Sequence, residues 1–139
     1  MRQHTRGTIL QAFLAQTAYF RVAVEAQVTG DINAPGWEPT VLVDLEVNIA
    51  ELSVRERVER GAEYGGRQTH EGFCEDAPEL VAGARLVETY RRYDDGAWRA
   101  VEADAAQRWL ILAKSYVAGM PEPHAQVRLD LHRLGPVRA

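Results

Sequence analysis

Apolar and polar residues alternate one by one through two stretches of the N-terminal half. From Phe20 to Val28 the even positions are Phe20, Val22, Val24, Ala26 and Val28, and the odd ones are Arg21, Ala23, Glu25 and Gln27. From Val41 to Ile49 the odd positions are Val41, Val43, Leu45, Val47 and Ile49, with Asp44, Glu46 and Asn48 between them. A period of two puts all apolar side chains of a strand on one face. The two stretches therefore predict two half-buried strands paired as an antiparallel hairpin. Between them "TGDINAPGWEPT" is rich in Gly and Pro. It predicts a hairpin loop longer than usual, with Trp37 at its tip as a contact residue or folded back as a cap.

The period then changes. "SVRE" (Ser53 to Glu56) has the spacing of a capping box, in which each side chain satisfies the other residue's backbone N–H. Val54, Val58 and Ala62 fall four apart, while Arg55, Glu56, Arg57, Glu59, Arg60 and Glu63 cover the remaining surface. This predicts a short charged helix ending at Gly65 and Gly66. So short a helix needs support from the barrel or from a neighbouring molecule.

Further strands are expected over 66–75, 84–93 (closed by an Asp94-Asp95-Gly96 turn), 97–104, 108–114 and 127–134. The apolar run 108–114 reads as the most buried of them. In the last, Val127, Leu129 and Leu131 point inward and Arg128, Asp130 and His132 outward. A loop broken by Gly119, Pro121 and Pro123 precedes it. Ile9, Leu10, Phe13, Leu14 and Thr17 have helical spacing. They form either a first helix packed on the barrel or an arm that packs on a neighbouring subunit. The expected fold class is mainly β: a small antiparallel β-barrel or sandwich with one short helix inserted between strands and an N-terminal helix or arm. Residues 1–18 are that helix or arm, and 19–139 a single barrel domain.

Composition narrows the function. At 139 residues the chain suits one domain. A formal charge of −4 argues against a basic grip on nucleic acid. With Cys74 as the only cysteine no internal disulfide can form, and no apolar run nears the ~20 residues of a membrane span. The start lacks the pattern of a signal peptide, so an intracellular protein is expected. His70 and Cys74 share parity on one expected strand and could join His124 or His132 around zinc, but the spacing matches no zinc pattern. No carboxylate pair, nucleophile or phosphate loop stands out. No catalytic, metal or cofactor site is assigned. Arg91 and Arg92 beside Tyr90 and Tyr93 could stack on a base, though a solvated strand face explains them more simply.

The order of elements resembles the head-closure proteins of tailed bacteriophages, small head–tail connectors also described as tail stoppers or head–tail joining proteins. The resemblance runs from Tyr19 to Leu134. It is carried by the strand into Glu51-Leu52-Ser53, the helix start at Arg55 and Glu56, the strand start at Thr69-His70, Gly83-Ala84-Arg85-Leu86, "WLILAK" and "VRLDLHRL". The lead of about eighteen residues and the loop from Ser115 to Gln126 are longer than the family's pattern, which leaves a tail-terminator type of ring subunit as the alternative.

The resemblance implies a non-enzymatic structural protein of the virion, assembled in the host cytoplasm and sited at the neck. It would form a homo-oligomeric ring at the portal vertex between the portal or its adaptor and the tail terminator or tail tube. The ring would close the DNA-filled head and let viral DNA pass without sequence-specific binding. No membrane is involved. One face of a head-to-tail ring must meet a different one. The expected interface residues are Arg55, Glu56, Arg57, Glu59 and Arg60 on one side and Arg91 and Arg92 on the other. Asp31, Asn33, Trp37 and Glu38 are expected in a channel or ring-contact loop. A reading of another class is a ligand-binding or enzymatic barrel using His70, His124, Trp37 or Trp109 in its cavity.

Overall fold

The computed structural model describes residues 18–28, 36–60, 67–93, 95–117 and 126–136. The expected N-terminal helix or arm, Asp31, Asn33, Ala62 to Gly66, Asp94, His124 and most of the last loop lie outside the described residues. The strands are β1 (Ala18–Val28), β2 (Gly36–Pro39), β3 (Leu45–Glu51), β4 (His70–Glu75), β5 (Arg85–Arg92), β6 (Trp98–Ala100), β7 (Arg108–Tyr116) and β8 (Gln126–Arg133), with helix α1 (Val54–Arg60) between β3 and β4.

Every pairing is antiparallel. The order β1-β3-β4-β8-β7-β5 returns to β1 through the β1–β5 pairing, so six strands close a barrel. Closure removes the exposed edges that an open sheet would leave. The inward positions are those the alternation marked: Phe20, Val22 and Val24 on β1, Leu45, Val47 and Ile49 on β3, and Val127, Leu129 and Leu131 on β8 are all buried. Leu86, Trp109 and Ile111 complete the lining, and the Phe20 and Trp109 rings meet edge-on at 5.0 Å. Gly72 makes room for this filling, since a Cβ there would stand 3.1 Å from Leu131 Cδ1 and 3.3 Å from Val47 Cγ1.

The barrel has two unlike ends. At one lie the start of β1, the end of β3, α1, the start of β4 and the end of β8. At the other lie the β1–β2 hairpin and the chain from β4 to β5. That connection seals its end with the fully buried Leu80, and Asp76 anchors it by accepting from Lys114 Nζ at 2.8 Å.

Four expectations are corrected. First, no strand runs from Val41. Glu25 pairs with Pro39 and Val22 with Leu45, so three steps along β1 face six along its partner. Thr40 donates to the Val24 carbonyl through both its N–H (3.0 Å) and its Oγ1 (2.8 Å), and the Val24 N–H donates to the Leu42 carbonyl at 2.9 Å. Val41 is thereby pushed out, 87% exposed, and Val43 is exposed too. Second, Trp37 and Glu38 are not in a loop: they sit on β2, which continues the hairpin ladder. Third, Asp130 faces outward but is buried, where its Oδ1 accepts from Gln68 Nε2 at 3.2 Å. Fourth, β8 is more deeply buried than β7, whose only buried residues are Trp109 and Ile111.

Candidate functional site

Helix α1 forms as its sequence specifies. The Ser53 N–H donates to Glu56 Oε1 and the Glu56 N–H to Ser53 Oγ, both at 3.2 Å. Just before the cap, Leu52 is buried and its N–H donates to the Thr69 carbonyl at 2.9 Å, which pins the helix start to the barrel rim. Beyond that anchor α1 stands in solvent. Val54 is 79% and Val58 77% exposed, and Arg55, Arg57 and Glu59 are exposed as well. Arg55 and Glu59 pair along the helix at 3.1 Å, a contact of little energetic weight at such exposure. Val54, Arg57 and Val58 share one face by their spacing of three and four, and Arg55 and Glu59 share another.

Arg91 and Arg92 sit at the same end as α1 but across the barrel. α1 joins β3 to β4, while these arginines end β5, separated from it by β1 and β3 one way and by β7, β8 and β4 the other. They face opposite ways. Arg91 turns inward and holds Glu88 through two bonds of 2.7 and 2.8 Å. The hydrogen bonds and charge of Glu88 push the Arg91 guanidinium above its ordinary range. Arg92 faces outward near the Tyr19 ring, and Arg21 lies 4.6 Å over Trp98. The outer face of β1, β5 and β6 is thus a surface of arginines stacked on aromatic rings.

Trp37 packs at the opposite end. Arg85 lies 4.4 Å over its ring, and Arg85 Nε donates to Glu25 Oε1 at 2.6 Å. Trp37 therefore lies on the outer face, whereas His70 and Trp109 face the interior. Those two do meet, with ring centroids 6.5 Å apart. Thr69 Oγ1 accepts the Arg133 N–H at 2.7 Å and stands 2.8 Å from His70 Nδ1, so its own proton is available to His70. Burial pushes the His70 pKa below the ordinary 6.5. His70 and Cys74 both face inward, as their parity implies, while His132 faces outward with Nδ1 2.6 Å from the Arg67 carbonyl. Among the described residues no three His, Cys, Asp or Glu cluster as metal ligands would. Burial pushes the Cys74 thiol up to about 12, so it is inert as a nucleophile.

A shallow groove of about 370 Å³ lies outside the barrel, lined by Tyr19, Glu46, Asn48, Phe73, Cys74, Glu75 and Gln126. Tyr19 is level with Asn48 and Asn48 with Phe73, so their side chains stand in one row across β1, β3 and β4. Glu46 and Glu75 line the same groove, and both are exposed. The buried Asn48 Oδ1 has no hydrogen-bond partner. The alternation on β3 placed Glu46 and Asn48 on the outer face, but nothing local shows that Glu75 of β4 lines the same groove.

Comparison with family models, with curated proteins and with solved structures finds no match to this chain.

Proposed function

We propose that this protein is a structural subunit of a bacteriophage neck, forming a ring at the portal vertex that closes the filled head and joins it to the tail. One observation carries the reading: a capped helix presents to solvent two valines and an arginine with no carboxylate partner among the described residues, outside a barrel whose interior is filled by its own side chains. An exposed apolar helix face on a closed barrel is a surface for association. The resemblance in element order supplies the kind of assembly. Its partners are sister copies, the portal or its adaptor on one side, and the tail terminator or tube on the other. The net acidity suits a channel along which DNA slides without being gripped.

The test combines mass photometry and negative-stain imaging of the purified full chain, alone and mixed with portal complexes, with mass spectrometry of purified particles. Closed rings and presence in the particle are expected. Absence from particles, or a monomer that binds a metal or small molecule one to one, overturns the proposal.

A further inference from the structure

We infer that the Val54, Arg57 and Val58 face of α1 in one copy seats in the outer groove of the next copy, against Tyr19, Glu46, Asn48, Phe73 and Glu75. The inference rests on the ring reading and names the contact that would build the ring.

The groove asks for a cation. Glu46 and Glu75 both line it and are both exposed. Neither pairs with any described residue. Arg21 lies directly opposite Glu46 in the β1–β3 register, yet its guanidinium rests over Trp98 instead. Asn48 Oδ1 adds a buried acceptor with no donor. The two exposed carboxylates match the donor fork of a guanidinium. Tyr19, with Arg92 over its ring, and Phe73 line the groove beside them.

α1 carries the complement. Arg57 is exposed and has no carboxylate partner among the described residues, whereas Arg55 is already paired with Glu59. On either side of Arg57 along the same face stand the two exposed valines. Arg92, over the Tyr19 ring, borders the groove on its β1 side; beyond it the outer face of β1, β5 and β6 presents Arg21 and Arg92 and would oppose Arg57 with like charge. Helix and groove are different, non-overlapping surfaces of one molecule, so the contact is head-to-tail and every copy can both give and receive.

Charge reversal tests this in the full chain. Arg57→Glu alone, and Glu46→Arg with Glu75→Arg, are each expected to lower the assembled fraction by about tenfold or more at fixed concentration. Combining all three in one chain restores it. Val54→Asp with Val58→Asp lowers it without rescue. All five positions are exposed, so an unchanged urea midpoint and circular dichroism confirm that the barrel is folded. Unchanged assembly of the Glu46→Arg, Glu75→Arg chain overturns the inference while leaving the ring standing. So does failure of the triple variant to recover, or loss of assembly on Arg21→Glu with Arg92→Glu while the groove variant still assembles. If the unmodified chain forms no ring alone or on portal complexes, the ring reading itself falls, and the inference with it.

Discussion

Glu88 and Arg91 are three residues apart on one strand, yet both turn toward the barrel interior. A regular strand would put them on opposite faces. The register explains the exception: Val22 pairs with Glu88 and Arg21 with Tyr90, so Thr89 is an extra residue, a β-bulge, and its Oγ1 donates to the Arg21 carbonyl at 3.0 Å. The bulge brings Arg91 back to the inner side, where it meets a carboxylate with no exposure to solvent. Glu88 Oε1 also accepts the Gln107 N–H at 3.2 Å, which ties down the turn leading into β7.

Removing Arg91 strands a buried charge. Arg91→Ala is therefore expected to cost about 3 kcal/mol, the low end for a broken buried pair because the arginine side chain is partly exposed. Arg92→Ala, on the outer face, is expected to cost less than about 0.5 kcal/mol. Urea denaturation of both variants checks the contrast, and equal losses would contradict the assignment of the two side chains to opposite faces.

Gly72 faces the interior between Val47 and Leu131. Gly72→Ala forces a methyl into occupied space and is expected to destabilise by about 1–3 kcal/mol. Pairing it with Leu131→Val should recover part of the loss. A neutral or stabilising Gly72→Ala would mean that the core is looser than its contacts indicate.

His70 gives the stability a pH dependence. Burial is the main cause of its lowered pKa, and the charges of Arg133, Arg57 and His132 act in the same direction against an opposing contribution from Glu51. The unfolded chain takes up the proton near 6.5 and the folded chain only at lower pH. The stabilisation is thus fully present above about pH 6.5 and is lost as pH falls through the folded value. Urea midpoints measured from pH 7.5 to pH 5 should fall more steeply for the unmodified protein than for His70→Gln. Parallel curves would remove His70 from the account.

The Cys74 thiol, buried and with its pKa pushed up to about 12, is expected to resist a thiol reagent at pH 8 for as long as the barrel stays folded. Labelling should become rapid in denaturant, with a midpoint matching that of global unfolding. Fast labelling of the native protein would place the sulfur nearer the surface than the structure does.

The barrel was legible because strand alternation depends only on which face meets the core. β1, β3 and β8 show it, and their inward residues are those expected. The interruptions were not legible, because they arise from partners distant in sequence. Val41 and Val43 continue the alternation of β3, and nothing local reveals that Thr40 will bond Val24 and expel Val41. Trp37 looked like a loop tip because Gly36 and Pro39 flank it, the residues that here bound a short edge strand. Glu88 did leave a trace, since a carboxylate occupies the position where the parity of Leu86 calls for an apolar residue, with an arginine three residues on. The capping box announced α1 fully, but exposure of its valines depends on what lies beside the helix, and no periodicity encodes that. The groove was hidden because Glu46 and Glu75 come from strands whose alignment is set by the closed ladder.

The seal made by Leu80 has a consequence for anything built from this unit. It shuts the barrel at the foot, whereas the head carries the helix, the Glu88–Arg91 pair and both the opening of β1 and the close of β8. The subunit is an arrow. Copies laid side by side in register would all point the same way, and the resulting collar would inherit two dissimilar rims, so that a neighbour above and a neighbour below could never be exchanged.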